Sequence, residues 1–221
     1  TSFGTVMTSS IVTLGAGSLF FTLILTMLAS MVLGMGLPSI PAYIITATMA
    51  APALAGFDIP ILSAHMFVFY FGIFANITPP VCLAAFAGAG ISGGDPMKTG
   101  FLSLKLALAG FIVPFMFIYN PTMLMIDPTD LAVTAKDFPL PPIVDIITVV
   151  VTSITGVIAL SSALEGYFRG EMNTVTRVIL AIGALLLIYP EMITGIVGGV
   201  IVLGIAAFNI KTAGKPTPTL T

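Results

Sequence analysis

"GMGLPSIP" (residues 34–41) and "ANITPP" (residues 75–80) decide how this sequence is read, because each interrupts a run of strongly apolar residues. Gly34 and Gly36 let the backbone turn and approach neighbours closely. Pro79 and Pro80 remove amide donors and leave carbonyls without partners. In hydrocarbon, each unpaired backbone polar group costs several kcal/mol, so irregular backbone at membrane depth survives only inside protein or beside an aqueous cavity. One kink in a membrane helix is ordinarily structural. Two breaks in successive segments, each flanked by short apolar pieces, point to a binding site.

Working outward, the run ending at Gly34 begins near Ser18 and resumes over residues 42–54. That second piece is about 20 Å long as a helix, short of a hydrocarbon core roughly 30 Å thick. It either completes a broken span or returns as a re-entrant hairpin, placed at residues 16–54. "GFDIP" (56–60) is a polar connector, with Asp58 placed to cap the next helix and Pro60 in its first turn. Residues 61–75 and 81–91 together make one interrupted span, a broken helix over 61–91, and "SGGDP" (92–96) is a turn. Residues 97–119 read as an ordinary span ended by Asn120-Pro121. A polar loop follows over 120–142, with Asp127, Asp130, Lys136 and Asp137. Residues 143–163 read as another span and 165–171 as a turn. Asn173 or Thr174 caps a helix running to Tyr189, and 192–210 form the last span. The Pro- and Thr-rich tail, 211–221, is predicted to be disordered.

Composition fixes the class. Of 221 residues, 57% are apolar and 7% charged, with a mean hydropathy of +1.15. Soluble domains carry about 25% charged residues, so the fold class is all-α: a polytopic membrane protein with a re-entrant helical hairpin and a discontinuous transmembrane helix. A net charge of −2 without a basic tract gives no footprint for nucleic acid, and the single cysteine, Cys82, allows no internal disulfide. No signal peptide is evident, and the apolar pattern is under way at the first residue, as expected of a fragment of a longer chain. When helix ends are assigned to alternating sides, Lys98, Lys105, Arg169, Arg177, Lys211 and Lys215 collect on one side and Lys136 on the other. The positive-inside rule puts the first side, and with it the C-terminus, in the cytoplasm.

Before Asp95 the only formal charge is Asp58, so whatever the two breaks bind is held by neutral oxygens and amide dipoles. A broken helix leaves carbonyls at one end and N–H groups at the other. The helices ending near Leu33 and Ala75 suit a cation, and those starting near Ala42 and Val81 suit a carboxylate. Asn76 and Thr78 add side-chain oxygens. Such a neutral cage favours a monovalent ion such as Na⁺ over Ca²⁺ or Mg²⁺. No cofactor is expected beyond that coupling ion.

"GMGLPSIPAYIITATMAAPAL" followed by "FGIFANITPPVCLAAFAGAGISGGDP" resembles the C-terminal half of the large membrane subunit (DctM-like) of tripartite ATP-independent periplasmic (TRAP) transporters. It is most similar to the fused permeases that work with TAXI-type binding proteins. "EGYFRGEMN" and "ILAIGALLLIYPEMITG" resemble the helices appended in fused members, here 143–210. The resemblance implies a bacterial inner-membrane permease for sodium-driven, elevator-type uptake of small organic anions. Its implied partners are a periplasmic TAXI-type substrate-binding protein, a small carboxylate substrate, the lipid bilayer and the N-terminal half of the same permease. In the family a hairpin tip and the break in the following helix form one sodium site beside the substrate. Carried over, the sodium ligands fall at Gly34, Gly36, Leu37, Pro38, Asn76, Thr78 and Pro79. The substrate contacts fall at Ser39, Thr46, Asn76, Thr78 and Pro80.

Other residues fit blander roles. Asp95 partly matches the Gly-x-Gly-Asp pattern of intramembrane aspartyl proteases, but Ser92 stands where that pattern needs glycine, and a turn role is favoured over catalysis. His65 reads as a packed or interfacial histidine and Ser63 as a first-turn residue. Thr46 and Thr48 most often bond back to their own helix, although Thr46 has the alternative of facing the cavity. Met and Phe in "HMFVFYFGIF" read as packing or lipid-facing surface, and Gly195, Gly198, Gly199 and Gly204 as a stripe for close helix contact. An intramembrane enzyme and a structural assembly subunit are the rival readings.

Overall fold

The computed structural model describes residues 2–127, 140–189 and 191–212. The described residues are all-α and contain no strand, with ten α-helices in two compact units. Three helical stretches are long and apolar enough to cross a membrane: Pro96–Tyr119, Ile143–Glu165 and Met192–Ile210.

The first unit, Thr1–Ala107 with Phe111–Pro141, opens with α1 (Ser2–Gly15), a separate helix that hydropathy alone did not delimit. Its end is coded by "GAGS" (15–18), where Ala16 and Gly17 both have positive φ. Then come α2 (Leu19–Gly34) and α3 (Ser39–Met49), joined by a tight tip. Gly36 has φ +73°, a conformation open to glycine at no steric cost. Pro38, with φ −60° and ψ 157°, is preset to lead into α3, and Pro41 falls in the first turn, where no donor is needed. Residues 42–54 are therefore not one piece. Helix α3 starts earlier than that and stops at Met49, and Ala51–Leu54 continue as a 3-10 turn containing Pro52.

Helix α4 (Ile61–Phe74) has Pro60 as its cap residue and no side-chain cap. Asp58 thus does not cap α4; it sits in the preceding turn at φ +50°. A 3-10 turn (Ala75–Ile77) ends α4, and α5 (Leu83–Ser92) resumes after an irregular stretch. The expected interruption is present. Gly93 (φ +72°) closes α5, and Asp95 Oδ1 accepts a hydrogen bond from Lys98 N–H at 2.8 Å, capping α6 (Pro96–Ala107). Residues 97–119 are not an uninterrupted α-helix. Between α6 and α7 (Val113–Tyr119) lies a 3-10 stretch, Leu108–Ile112, next to Pro114, which cannot donate to the α ladder.

The core of this unit surrounds α4, which packs against α2, α3 and α7. Phe67 and Phe71 are fully buried and meet edge to face, 4.9 Å between ring centres, and both contact Phe115 of α7 at 5.3 and 5.9 Å. Lipid is as apolar as these rings, so dispersion and ring geometry hold the helices together rather than escape from solvent. The phenylalanines are packing residues.

The second unit, Leu108–Gly110 with Pro142–Thr221, consists mainly of α8 (Ile143–Glu165), α9 (Thr174–Ile188) and α10 (Met192–Thr212). Asn173 caps α9, its side chain accepting from Thr176 N–H at 2.8 Å. Arg177 donates to the carbonyls of Ala163 and Leu164 at 2.9 and 2.7 Å, satisfying the C-terminal end of α8. Of the four glycines in the α10 stripe, Gly198 is tightly apposed to Gly183 and Leu187 of α9; Gly199 faces Leu187 at ordinary distance, while Gly195 and Gly204 face open space. The stripe is a single close contact. Asp130, Lys136 and Asp137 of the polar loop, and 213–221 of the tail, lie outside the described residues; Lys211 and Thr212 end α10.

Candidate functional site

Two helix C-termini and two helix N-termini come together in the first unit. The C-terminal end of α2 is held against α4 by a glycine pair. A Cβ on Gly34 would run into the carbonyl oxygen of Gly72 and lie 2.8 Å from its Cα and carbonyl carbon. Gly72 is also the seat of α3, since a Cβ there would meet Thr46 at 3.4–3.5 Å. Three helices therefore cross at one glycine. Gly72, unlike the tip glycines, was not singled out from the sequence; the available signal was a lone glycine within the aromatic run "FVFYFGIF".

The breaks touch directly. Asn76 Nδ2 donates to the Leu37 carbonyl oxygen at 3.3 Å, a bond between residues 39 positions apart. A Cβ on Gly36 would lie 3.7 Å from Val81 Cγ1, so the tip also approaches the far side of the second break. Thr78 is 7% exposed, and its hydroxyl donates to the Phe74 carbonyl at 2.8 Å. That bond occupies the proton and fixes the oxygen, leaving lone pairs free to accept or to ligate. With its amide nitrogen engaged, Asn76 keeps Oδ1 as its free end. Leu37 O, Asn76 Oδ1 and Thr78 Oγ1 are thus the neutral oxygens presented where two helix C-termini carry partial negative charge.

Beside this junction is an open cavity of about 490 Å³ lined by Ser39, Ile73, Phe74, Asn76, Ile77 and Ala84. Ser39 begins α3 and Ala84 lies in the first turn of α5, so both N-termini reach the same space. The first turns of two helices, which carry partial positive charge, border a cavity whose other lining residues, Ile73, Phe74 and Ile77 with Asn76, are mostly apolar. An anion with a small apolar body matches such walls.

The residues expected from sequence divide into three groups. Gly34, Gly36, Leu37 and Asn76 are brought together, Thr78 follows two residues on and is bonded to Phe74, and Ser39 lines the adjoining cavity. Pro38 caps α3. Pro79 packs toward α6, with a Cβ on Gly100 lying 3.6 Å from its ring, and the Pro79–Pro80 peptide is cis with Pro80 exposed. Thr46 does not line the cavity: it is fully buried, and its hydroxyl returns to the carbonyls of Ala42 and Tyr43 at 2.9 and 3.1 Å. Its part is to seat α3 on Gly72.

The other polar candidates occupy structural positions. His65 Nδ1 lies 3.1 Å from the Tyr43 hydroxyl, a hydrogen bond joining α3 to α4. Thr48 bonds back to Ile44 at 2.9 Å. Cys82 is buried beside Gly100, and Ser63 is fully buried in the first turn of α4. Among the described residues no group of His, Cys, Asp or Glu has the makings of a metal cluster.

The family described as "Tripartite ATP-independent periplasmic transporter, DctM component" matches residues 1–129. No curated protein and no solved structure matches the chain.

Proposed function

Because the chain belongs to the DctM component family of tripartite ATP-independent periplasmic transporters, a family of multi-pass membrane permeases, we propose that its two breaks form a sodium site coupled to uptake of a small carboxylate. The observation that carries this reading is the Asn76–Leu37 hydrogen bond across the Gly34–Gly72 contact. It joins the tip that follows α2 to the turn that ends α4, and neither 34–41 nor 75–80 carries a formal charge. The ion sits among Leu37 O, Asn76 Oδ1 and Thr78 Oγ1, and Gly34, Gly36, Pro38 and Pro79 shape the backbone around it. The substrate carboxylate occupies the cavity at Ser39, Asn76 and Ala84, at the start of α3 and α5. A cation there offsets the anion's charge, so each favours binding of the other, which is thermodynamic coupling between sites.

TRAP transporters generally work with a periplasmic binding protein. For this chain we take that partner to be of the TAXI type, delivering substrate to the outer face of a permease completed by an N-terminal half. Residues 16–54 then contribute a re-entrant hairpin, 143–210 are appended helices, and the C-terminus is cytoplasmic in the inner membrane. The test is uptake into proteoliposomes holding the complete permease with its binding protein. Uptake should require an inward sodium gradient, and Asn76→Ala and Thr78→Val should raise the sodium concentration for half-maximal uptake roughly tenfold, the equivalent of about 1.4 kcal/mol of lost ligation. Sodium-independent uptake, or an unchanged sodium curve in both variants, refutes the site.

A further inference from the structure

Helix α2 carries Thr22, Thr26 and Ser30 on every fourth residue, all fully buried, on the stripe that ends at Gly34. Hydroxyls in apolar helices ordinarily donate to the carbonyl one turn back. Thr22 does so to Ser18 at 2.9 Å, and so do Thr46, Thr48, Thr148, Thr152 and Ser162. Thr26 and Ser30 decline that bond. Neither oxygen has a hydrogen-bond partner among the described residues, nor does the buried Ser63 hydroxyl at the start of α4, the helix that α2 packs against.

Neighbours on α2 show what borders them. On one side of the stripe Leu23 and Met31 pack in a cluster with Ala51 and Leu54 and with Phe67, Val68 and Phe71 of α4; on the other, Ala29 packs with Ala53. The two hydroxyls therefore stand on a stripe bordered by α4, against which Gly34 rests, and by the 3-10 turn Ala51–Leu54. At that turn the ladder of α3 changes from α to 3-10 and Pro52 supplies no donor. Helix ends of this kind leave carbonyls to be satisfied by something other than the helix.

We propose that Thr26 and Ser30 form an internal water site on the buried face of α2, two turns and one turn before the hairpin tip. Side chains four apart on a helix stand about 5–6 Å from each other. Two hydrogen bonds of about 2.8 Å meeting at one water reach across about 4.5 Å, a separation that hydroxyls on side chains so spaced can adopt. A water bridging the two hydroxyls gives each of them a partner inside the packed face of α2.

The asymmetry of hydrogen-bond energetics gives the test. Removing a bare buried hydroxyl stabilises a protein, whereas removing one that holds a water strips a bond from that water. In the full-length permease, Thr26→Val and Ser30→Ala should each lower the melting temperature. The double variant should fall little further than the worse single, because one water serves both. Thr48→Val, exposed and bonded only to its own helix, should leave it unchanged. X-ray hydroxyl-radical footprinting should oxidise Met27 in the wild type and much less in Thr26→Val. Unchanged or raised melting temperatures in Thr26→Val and Ser30→Ala overturn the proposal, as does equal oxidation of Met27 in both proteins. A sodium-dependent part of the melting temperature, lost in both variants, overturns it in favour of a cation at this position.

Discussion

Gly34→Ala is the sharpest perturbation the structure offers. The added methyl would lie 2.8 Å from Gly72 Cα and carbonyl carbon and closer still to the Gly72 carbonyl oxygen, where carbon atoms settle at about 3.5–4.0 Å. Backbone cannot swing aside as a side chain does, so α2 must retreat from α4 by about 1 Å. The Asn76–Leu37 hydrogen bond, already 3.3 Å long, is the nearest link across that interface. At about 4 Å it is no longer a bond. Overpacking of this kind costs about 1–3 kcal/mol, and the lost bond a further 0.5–1.5 kcal/mol or so. We expect a lowered melting temperature and a sodium concentration for half-maximal uptake raised about tenfold or more, measured on the complete permease in proteoliposomes. Gly88→Ala is the matched control, because nothing lies within 4 Å of its added methyl; helix propensity predicts a neutral or slightly stabilising change. If Gly34→Ala keeps both the melting temperature and the sodium curve of the parent, the close approach of α2 and α4 does not hold the site together.

Three further outcomes follow from other contacts. Phe71→Ala removes a fully buried ring that contacts Phe67, Phe111 and Phe115, so it should cost about 3–5 kcal/mol and abolish a cooperative melt near physiological temperature; a melting temperature within a few degrees of the parent would refute this. Asp95→Ala should lose one helix cap, about 1 kcal/mol, with sodium-driven uptake intact. Loss of uptake with normal stability would instead revive a chemical role for that carboxylate. Arg177→Ala should bare the Ala163 and Leu164 carbonyls and lower the melting temperature, Arg177→Lys should recover part of the loss, and neither should shift the sodium curve.

Local chemistry was legible in the sequence, because its causes are local. Proline lacks a donor wherever it stands, and glycine accepts positive φ without steric penalty, so the tip at residues 34–38, the break at 76–80, the Gly93 stop and the Asn173 cap could all be read before any neighbour was known. Helix ends were harder where a polar residue was expected to act and a proline did instead, as at Asp58 and Pro60. The 3-10 stretch at Leu108–Ile112 also escaped, since hydropathy is blind to the difference between an α and a 3-10 ladder.

Which residues meet was decided only by packing. That Gly34 lies on Gly72, that Asn76 reaches Leu37 rather than solvent, and that Thr46 faces a helix instead of the cavity depend on how α2, α3 and α4 rotate about their own axes. Periodicity gives a helix its faces but leaves their partners open when every face is apolar, as here, because no polar side betrays the outward direction. Sequence thus determined where the main chain breaks, and tertiary structure determined that the breaks share one place: the first follows from the covalent character of single residues, the second from close packing between segments some forty residues apart.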